Sequence, residues 1–536
     1  MRNPLKTVKN KIKYYRSDER KYRDYWYSCA VDEHKVMLES GRGETVSGNM
    51  FALLKEIETN PEWSDYSPFF IVTDKTRKEA ARKIAFSGFK RVKLVDRMSD
   101  EYLRLLASCK YFFTDNTYPV TFCKKPDQVL CNTWHGTPLK HMGKANLEGA
   151  RGIGNVQRNF FMSDYALFPN DFTRDVFMED YLLESQFSGQ AVMLDYPRSD
   201  AFFDEEMRSK VRRNNGLEDK RVYAYMPTWR GGDSKNVDMD AQVAEIAGYL
   251  EQMDAAFADD EVLYVNLHPF VGSRLSYDGY THVKQFPADY ETYDFLNVSD
   301  ALITDYSSVF FDYAQIGRKV VLFTYDLEEY LESRGVYIDV RNLPFEKCRT
   351  PEEVVKALRN AGSENTDEFL ETFCRYRDAG KGNCSYRLLR TVTGKEAAQK
   401  AEDADDRPHH VIATTGLDKG VSEKLKKAIF RHTDEGEKVS VMFDGGVKPE
   451  NIEALKELDS FENVSWYSVP GGIRDEDMPR EVSRMLPGWR IDTSQVIGDL
   501  KRNYYRLAYH LIPVRVYFIK DAGDSIIITF KQKRIS

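Results

Sequence analysis

The sequence lacks the patterns that mark several large classes of protein. Its seven cysteines include no Cys-x-x-Cys pair, so neither a disulfide framework nor a zinc cage is indicated. No apolar run approaches the ~20 residues that cross a bilayer, and the first 27 residues contain no apolar signal-peptide core. There is no GxxxxGKS or GxxxxGKT loop, so a Walker-type ATPase has no support. We therefore expect a protein of a reducing compartment that is neither secreted by that route nor integral to a membrane.

Proline and glycine are also sparse, with 19 and 32 residues among 536, while 42% of the chain is apolar and 13% is aromatic. This composition excludes long disordered behaviour and indicates a globular protein of roughly three to four folding units. The 77 basic and 85 acidic residues give a net charge of -8. A surface built as a whole to hold nucleic acid is therefore excluded, and any basic patch must be local.

One local basic patch is the leader, residues 1–27, in which tyrosines and a tryptophan alternate with lysines and arginines. Basic residues with interfacial aromatics are typical of segments that bind an anionic membrane surface. The alternative is a basic helix that packs on its own domain. The basic residues are Arg2, Lys6, Lys9, Lys11, Lys13, Arg16, Arg20, Lys21 and Arg23.

Short β-branched or aromatic runs alternate with helix-length amphipathic stretches from about Asp32 onward, which predicts an α/β protein with parallel sheets. A first series of strands is predicted at 69–74, 91–96, 110–115, 127–134, 165–170 and 191–200. A second series is predicted at 221–230, 261–270, 300–308 and 318–326. Two successive Rossmann-like halves place a cleft where the carboxyl ends of the two sheets face each other.

A polar stretch at 395–410 reads as a linker to a third α/β segment, with strands predicted at 411–416, 439–444, 464–469, 514–519 and 525–530. The predicted organisation is a leader (1–27), an N-terminal Rossmann-like domain (28–205), a C-terminal Rossmann-like domain (206–394), the linker (395–410) and an accessory α/β domain (411–536).

Two of the nine histidines, His135 and His268, directly follow apolar strands and precede a glycine or a proline. Such a histidine is presented to the cleft, where it can reach a substrate. A histidine satisfied by a backbone carbonyl in a turn is the alternative for each one. Two histidines at equivalent places in the two halves favour the functional interpretation.

Two further turns directly follow predicted strands. Ser307 and Ser308 begin a helix, whose exposed amide groups can hold a phosphate, although two serines can also serve only as a helix cap. In MPTWR (226–230), Arg230 is placed to meet an anion or to lie on the surface as an ordinary arginine.

No metal site is predicted. His409 and His410 fall in the linker without the cysteine or carboxylate spacing of a metal centre. Asp238-Met239-Asp240 reads as the start of a helix and not as a metal clamp.

Together, these motifs resemble the CDP-glycerol glycerophosphotransferase family of teichoic acid synthesis, over about residues 30–390. The order of the motifs carries the resemblance, and WHGTPLK with DYSS at this spacing is highly specific. The motifs are ESGRGETVSGNMFALLKEI (39–57), WHGTPLK (134–140), YPRSD (196–200), PTWR (227–230), NLHPF (266–270) and DYSSVFFD (305–312).

The resemblance implies a GT-B-like fold with two Rossmann-like domains facing a central cleft, plus the C-terminal α/β appendage. It also implies transfer of glycerol phosphate from CDP-glycerol to a hydroxyl of a lipid-linked or growing polymer, without cofactor or metal. His135 would be the general base and His268 would stabilise charge on the pyrophosphate. The implied donor-binding residues are His135, Gly136, Thr137, Pro138, Leu139, Arg198, Pro227, Thr228, Asn266, Leu267, His268, Ser307, Ser308 and Asp312.

The implied partners are CDP-glycerol, a lipid-linked polyol phosphate or glycan acceptor, and the anionic cytoplasmic face of the plasma membrane, without nucleic acid. CDP-ribitol as donor, a GT-B glycosyltransferase that uses a nucleotide sugar, and a non-enzymatic polymer-binding protein remain alternatives.

Two segments depart from the family pattern. Residues 141–161 are basic and rich in glycine, and we expect them to meet acceptor phosphates or lipid headgroups. The tail after 410 resembles the first half of a nucleotide-sugar glycosyltransferase but ends at Ser536, before a donor-binding half. We expect it to be a docking or stabilising module.

Overall fold

A computed structural model describes most of the chain. The described residues are 17–184, 187–228, 239–267, 269–272, 274–333, 335–360, 366–376, 381–396, 409–414, 417, 420–444, 446–469, 515–519 and 525–527.

The described strands form three sheets and are numbered in chain order. They are β1 Asp32–Glu39, β2 Ser67–Val72, β3 Lys93–Asp96, β4 Cys109–Thr114, β5 Val129–Asn132, β6 Tyr165–Phe168, β7 Gln190–Met193, β8 Arg221–Met226, β9 Glu261–Val265, β10 Val283–Gln285, β11 Ala301–Thr304, β12 Lys319–Phe323, β13 Glu346–Cys348, β14 His409–Thr414, β15 Lys438–Asp444, β16 Val464–Val469, β17 Arg515–Ile519 and β18 Ser525–Ile527.

The described helices connect these strands. They are α1 Asp18–Ser28, α2 Asn49–Thr59, α3 Arg77–Ser87, α4 Asp100–Ser108, α5 Ile153–Met162, α6 Asp171–Asp180, α7 Glu205–Asn214, α8 Met239–Ala256, α9 Pro269–Gly272, α10 Thr292–Leu296, α11 Val309–Ala314, α12 Leu327–Ser333, α13 Pro351–Arg359, α14 Asp367–Phe373, α15 Cys384–Val392, α16 Glu423–Thr433 and α17 Ile452–Asp459. Shorter 3₁₀ turns lie at Gly41–Gly43, Pro61–Trp63, Gly143–Gly152, Pro197–Phe203, Val340–Asn342 and Pro449–Asn451.

Local sequence explains where several helices begin. The side chains of Ser99, Asn170 and Thr350 accept hydrogen bonds from backbone amides in the first turns of α4, α6 and α13. Each satisfies an amide that has no partner within the helix. Pro351 occupies the first position of α13, where its missing N–H costs nothing.

Sheet 1 has seven parallel strands in the order β3-β2-β1-β4-β5-β6-β7. Chain order reverses between β1 and β4, which are paired through residues such as Leu38 and Phe113. Such a reversal in an open α/β sheet leaves a crevice at the carboxyl ends of the two strands.

Sheet 2 repeats this plan with six parallel strands in the order β10-β9-β8-β11-β12-β13. Its reversal lies between β8 and β11, where Tyr225 pairs with Ile303. The two sheets confirm the GT-B-like fold that the sequence predicts. Helix α15 then crosses back to sheet 1, where Leu388 and Leu389 join the core under β1 and α2.

Sheet 3 has the order β16-β15-β14-β17-β18 and is parallel except for the antiparallel β17–β18 pair. Its predicted strands are all present. Strand β14 begins at His409, so the predicted linker 395–410 extends two residues too far. The linker residues 397–408 lie outside the described residues.

The leader is described from Ser17. Helix α1 packs on α4, with Tyr22 buried and its hydroxyl donating to the Cys123 carbonyl at 2.7 Å. The Trp26 indole N–H donates to the same carbonyl at 2.9 Å. These two aromatic side chains therefore contact their own domain, as the alternative interpretation of the leader states. Among the described residues, no helix combines the length and the apolar character needed to cross a membrane.

Sheet 3 packs against the outer layer of sheet 1. Helix α5 lies on β16, and a Cβ at Gly154 would lie 1.7 Å from the Ser468 carbonyl oxygen. The Tyr467 hydroxyl donates to the Leu182 carbonyl at 2.9 Å. One apolar core is continuous from Trp134 beside sheet 1 to Trp466 in sheet 3. The accessory segment is thus docked on the N-terminal half.

Candidate active site

The turn after β5 carries His135 at the carboxyl edge of sheet 1. The ring is accessible to solvent and stacks on Trp134, with ring centroids 4.5 Å apart. Nδ1 lies 2.8 Å from the backbone carbonyl oxygen of Asp115, which follows β4. Because a carbonyl can only accept, Nδ1 carries the proton, and Nε2 keeps its lone pair. The backbone contact that the alternative interpretation predicts is present, yet it leaves the ring able to act as a base.

Enough protein surrounds His135 for desolvation to lower its pKa below the ordinary histidine value. The positive charges of Arg198 and Arg42 lower this pKa further, while the contact with Asp115 opposes them. The neutral form, which can accept a proton, is therefore favoured at neutral pH.

Arg198 holds the His135 turn by a hydrogen bond to its backbone. It lies in the turn Pro197–Phe203, and its Nη1 donates to the His135 carbonyl at 2.8 Å. Its Nη2 lies 2.7 Å from Asp312 Oδ2 on α11, and both side chains are almost fully buried. The Tyr293 hydroxyl donates to the same Asp312 oxygen at 2.7 Å. Desolvation by burial raises the pKa of Asp312, and the facing guanidinium opposes that rise.

Gly136 brings the His135 turn against the start of α11. A Cβ at Gly136 would lie 2.5 Å from Ser308 Oγ and 3.2 Å from Ser308 Cβ. A side chain at position 136 would therefore require Ser308 to shift. The structure therefore joins WHGTPLK and DYSS, two motifs that the sequence separates by more than 160 residues.

Two turns of sheet 2 are tied together at the reversal between β8 and β11. The Thr228 backbone N–H donates to the Asp305 carboxylate at 2.8 Å. The Thr304 hydroxyl donates to the Met226 carbonyl at 2.6 Å. This arrangement fixes Ser307 and Ser308, both partly exposed, at the carboxyl edge of sheet 2.

The predicted site residues fall into three groups. Those with accessible surface at the carboxyl ends of strands are His135, Pro227, Thr228, Asn266, Leu267, Ser307 and Ser308. Those that are buried are Gly136, Thr137, Pro138, Leu139, Arg198 and Asp312. His268 and Arg230 lie outside the described residues, so their predicted places in the site stay predictions.

Sequence reasoning did not assign a role to several residues that build the site. Asp115 holds His135 through its carbonyl. The Asn49 side-chain amide donates to the Trp134 carbonyl at 3.2 Å, and its oxygen accepts from the Arg198 backbone N–H at 3.3 Å. Asp305 holds the turn of Thr228. A polar residue directly after an apolar strand is the signal that marks both aspartates in the sequence.

The expectation that residues 141–161 face phosphates or lipid headgroups is wrong for Arg158 and stays a prediction for the exposed Arg151. Arg158 is buried, and its guanidinium donates to the carbonyls of Phe122 and Pro119 at 2.6 and 2.8 Å. Lys144 pairs with Asp459 of the accessory segment at 3.3 Å. Within this stretch, α5 packs on β16 of sheet 3, while Arg151 is exposed.

The structure also corrects the prediction about His410. Within the described residues, His410, His432 and Glu437 form one group whose ligand atoms all lie within 4.8 Å of one another. His410 Nε2 and His432 Nδ1 lie 2.7 and 3.0 Å from Glu437 Oε2. A carboxylate is therefore close to His410, although far from it in the sequence. Asp240 lies in the first turn of α8, as predicted for a helix start.

Fold and site together define an α/β protein of the GT-B type, with two Rossmann-like sheets and an exposed histidine where the carboxyl edges of these sheets meet. The model of the family described as CDP-glycerol:poly(glycerophosphate) glycerophosphotransferase matches residues 22–394. The chain belongs to this family.

Known relatives agree with this assignment. A teichoic acid poly(glycerol phosphate) polymerase of Bacillus spizizenii is 28% identical over 68% of this chain and 93% of its own length. One of Bacillus subtilis is 27% identical, and the match covers 68% of this chain and 49% of that protein, so the chain spans about half of that relative. The solved structure of the wall teichoic acid polymerase TagF matches 74% of this chain and 98% of its own, with 22% identity and a TM-score of 0.57.

Proposed function

We propose that the protein transfers glycerol phosphate from CDP-glycerol to a hydroxyl of a lipid-linked or growing teichoic-acid-like polymer and releases CMP. The observation that carries this proposal is the His135 ring, which is accessible in the cleft with Nδ1–H bound to the Asp115 carbonyl and Nε2 left to accept a proton. The family and the names of the relatives support the substrate class.

In this reaction, the acceptor hydroxyl attacks the phosphorus that bears the glycerol. A new P–O bond forms to the acceptor, and the bond from that phosphorus to the oxygen bridging to CMP breaks. The hydroxyl proton passes to His135 Nε2, and CMP leaves with the bond's electron pair. Phosphoryl transfer of this kind depends on in-line positioning and charge stabilisation more than on covalent catalysis.

The leaving CMP gains negative charge that the site must stabilise. Ser307 and Ser308 follow β11, and both are partly exposed at the carboxyl edge of sheet 2. We assign these groups, together with His268, to the diphosphate of the donor. Arg198 and Asp312 act mainly by holding the His135 turn, since each is already the other's buried partner.

The proposal is tested by incubating the purified chain with CDP-glycerol and a lipid-linked glycerol phosphate acceptor, while CMP and product mass are followed. We expect mass increments of one glycerol phosphate, and their number separates a primase from a polymerase. His135→Gln should lower kcat by about 10²-fold or more. The matched control is His34→Gln, an exposed histidine near the amino end of β1, which should leave kcat unchanged.

Other outcomes would replace the proposal. CMP release only with CDP-ribitol would change the donor, and release of UDP or GDP from a nucleotide sugar would change the reaction class. Activity of His135→Gln equal to that of His34→Gln would remove His135 as the base.

The proposed acceptor places the enzyme at the anionic cytoplasmic face of the plasma membrane. The support is the run of basic residues before Ser17, since α1 itself packs on the fold. Deletion of residues 1–16 should reduce sedimentation with anionic vesicles and leave α1 in place. Unchanged sedimentation would remove this segment from membrane binding.

A further inference from the structure

Arg42 lies in an uncommon backbone turn directly after β1. Gly41, Arg42 and Gly43 have φ values of 51°, 59° and 79°, all in the left-handed region. Glycine adopts this region freely, whereas a residue with a Cβ is strained there. A glycine at position 42 would therefore relieve the backbone. A strained non-glycine residue beside a cleft points to a functional reason for its side chain.

The turn that carries Arg42 is held by Asp115, the residue that also holds His135. The Asp115 carboxylate accepts from the Ser40 hydroxyl and from the Gly41 backbone N–H, both at 2.7 Å, while the Asp115 carbonyl holds His135. The neighbouring Asn116 accepts from Arg42 Nε at 3.1 Å. Arg42 and His135 are thus fixed to consecutive residues at the end of β4. Desolvation by the surrounding protein lowers the pKa of His135 most, and the charge of Arg42 lowers it further.

The guanidinium of Arg42 remains available to a ligand. The side chain is exposed, and only Nε has a protein hydrogen-bond partner in the part of the chain that the structure describes. Two other arginines near the same edge of sheet 1 each have a carboxylate partner. Arg77 pairs with Asp96 at 2.8 Å, and Arg97 pairs with Glu39 at 3.0 Å. No described carboxylate lies within 4.0 Å of the Arg42 guanidinium. Its outer N–H groups can therefore bind an anion from solution.

We propose that Arg42 binds a phosphodiester of the acceptor chain, next to the hydroxyl that His135 deprotonates. This inference rests on the proposed function. Arg42 lies at the reversal between β1 and β4 in sheet 1, where ligands of open α/β sheets bind. It lies on the His135 side of the cleft, whereas the turns assigned to the donor belong to sheet 2. The enzyme therefore prefers an acceptor whose terminal glycerol follows a phosphate over a neutral alcohol.

The test compares Arg42→Gln and Arg42→Lys with the wild-type chain, using a soluble glycerol phosphate oligomer as acceptor. Arg42→Gln should raise the KM for the oligomer by about 10- to 100-fold, the effect of losing one charge-assisted contact. Arg42→Lys should recover part of that loss, because lysine keeps the positive charge but cannot form the paired hydrogen bonds of a planar guanidinium. The KM for CDP-glycerol should change by less than about threefold. Arg104→Gln is the matched control, because Arg104 is an exposed arginine of the same half that pairs with Asp100.

A second readout separates this inference from the proposed function. Binding of a fluorescent glycerol phosphate oligomer is measured without donor, and Arg42→Gln should weaken it while Arg104→Gln does not. If the wild-type chain releases no CMP but this difference persists, the reaction is wrong and the subsite stands. If CMP is released normally and Arg42→Gln binds the oligomer like wild type, the subsite is overturned alone. A rise in the KM for CDP-glycerol without a rise for the oligomer would place Arg42 on the donor diphosphate and overturn the proposal.

Discussion

Arg198 and Asp312 form a buried ion pair that joins the turn before α7 to helix α11 of sheet 2, with 2.7 Å between Nη2 and Oδ2. The same guanidinium holds the His135 carbonyl. Asp312→Asn would leave a buried arginine without its counter-charge, so the free energy of unfolding should fall by about 3–5 kcal/mol. Urea unfolding measures this change.

The matched control for this pair is Asp260→Asn. Asp260 pairs with Arg221 at 2.9 Å on the surface, and such exposed pairs contribute about 0–1 kcal/mol. Arg198→Met combined with Asp312→Leu should be more stable than Asp312→Asn alone, because no buried charge remains. Equal effects of Asp312→Asn and Asp260→Asn would contradict the buried pair.

The pH dependence of activity should report the lowered pKa of His135. Desolvation by the surrounding protein favours the neutral base, so activity should persist as pH falls and be lost only below the ordinary histidine pKa of about 6.5. The measurement is kcat/KM for CDP-glycerol against pH. The residual activity of His135→Gln should lack this acidic limb, and a limb retained in that variant belongs to another group.

The stability of the fold should fall between mildly acidic and neutral pH because of Asp195. Burial, with the nearby charge of Asp312, raises the pKa of Asp195 to about 7, against about 3.9 in an unfolded chain. Between these values the folded state binds the extra proton, so the free energy of unfolding decreases as pH rises, by at most about 1.4 kcal/mol per pH unit. Asp195→Asn should flatten this slope in urea unfolding, and Asn at the exposed Asp127 should not.

The docking of sheet 3 should depend on the close approach of Gly154 to Ser468. In Gly154→Ala, the added methyl group would clash with the Ser468 carbonyl and separate α5 from β16, at a cost of about 1–3 kcal/mol. Hydrogen exchange should then speed up in β16. Gly152→Ala is the control, because a Cβ at Gly152 meets no atom within 4 Å. Identical exchange in both variants would mean that the contact does not hold the sheet.

The fold was largely predictable because runs such as KYFFTD and ALIT mark buried parallel strands. Strands β1, β10 and β13 were not predicted individually. Strand β1 begins with the polar residues of Asp32–Lys35, while β10 and β13 have three residues each, too short for a pattern.

His135 was predicted as a site residue because it ends a predicted strand and is followed by a glycine. The contact of His135 with Asp115 was not predicted, because the two residues are 20 positions apart and the contact uses a backbone carbonyl. The docking face on α5 was not predicted, because the basic, glycine-rich composition of 141–161 indicated contact with acceptor phosphates or lipid headgroups.

The turn that carries His135 follows strand β5 of sheet 1, but its backbone is hydrogen-bonded to residues that precede β13 of sheet 2. Beyond Gly136, the Leu139 carbonyl accepts from the Tyr337 backbone N–H at 2.9 Å, and Lys140 pairs with Val336. Separation of the two sheets would therefore break these backbone contacts and move His135 away from Ser308. The distance between the proposed base and the serines proposed for the donor is therefore set jointly by both halves of the chain, and neither half alone carries the complete site.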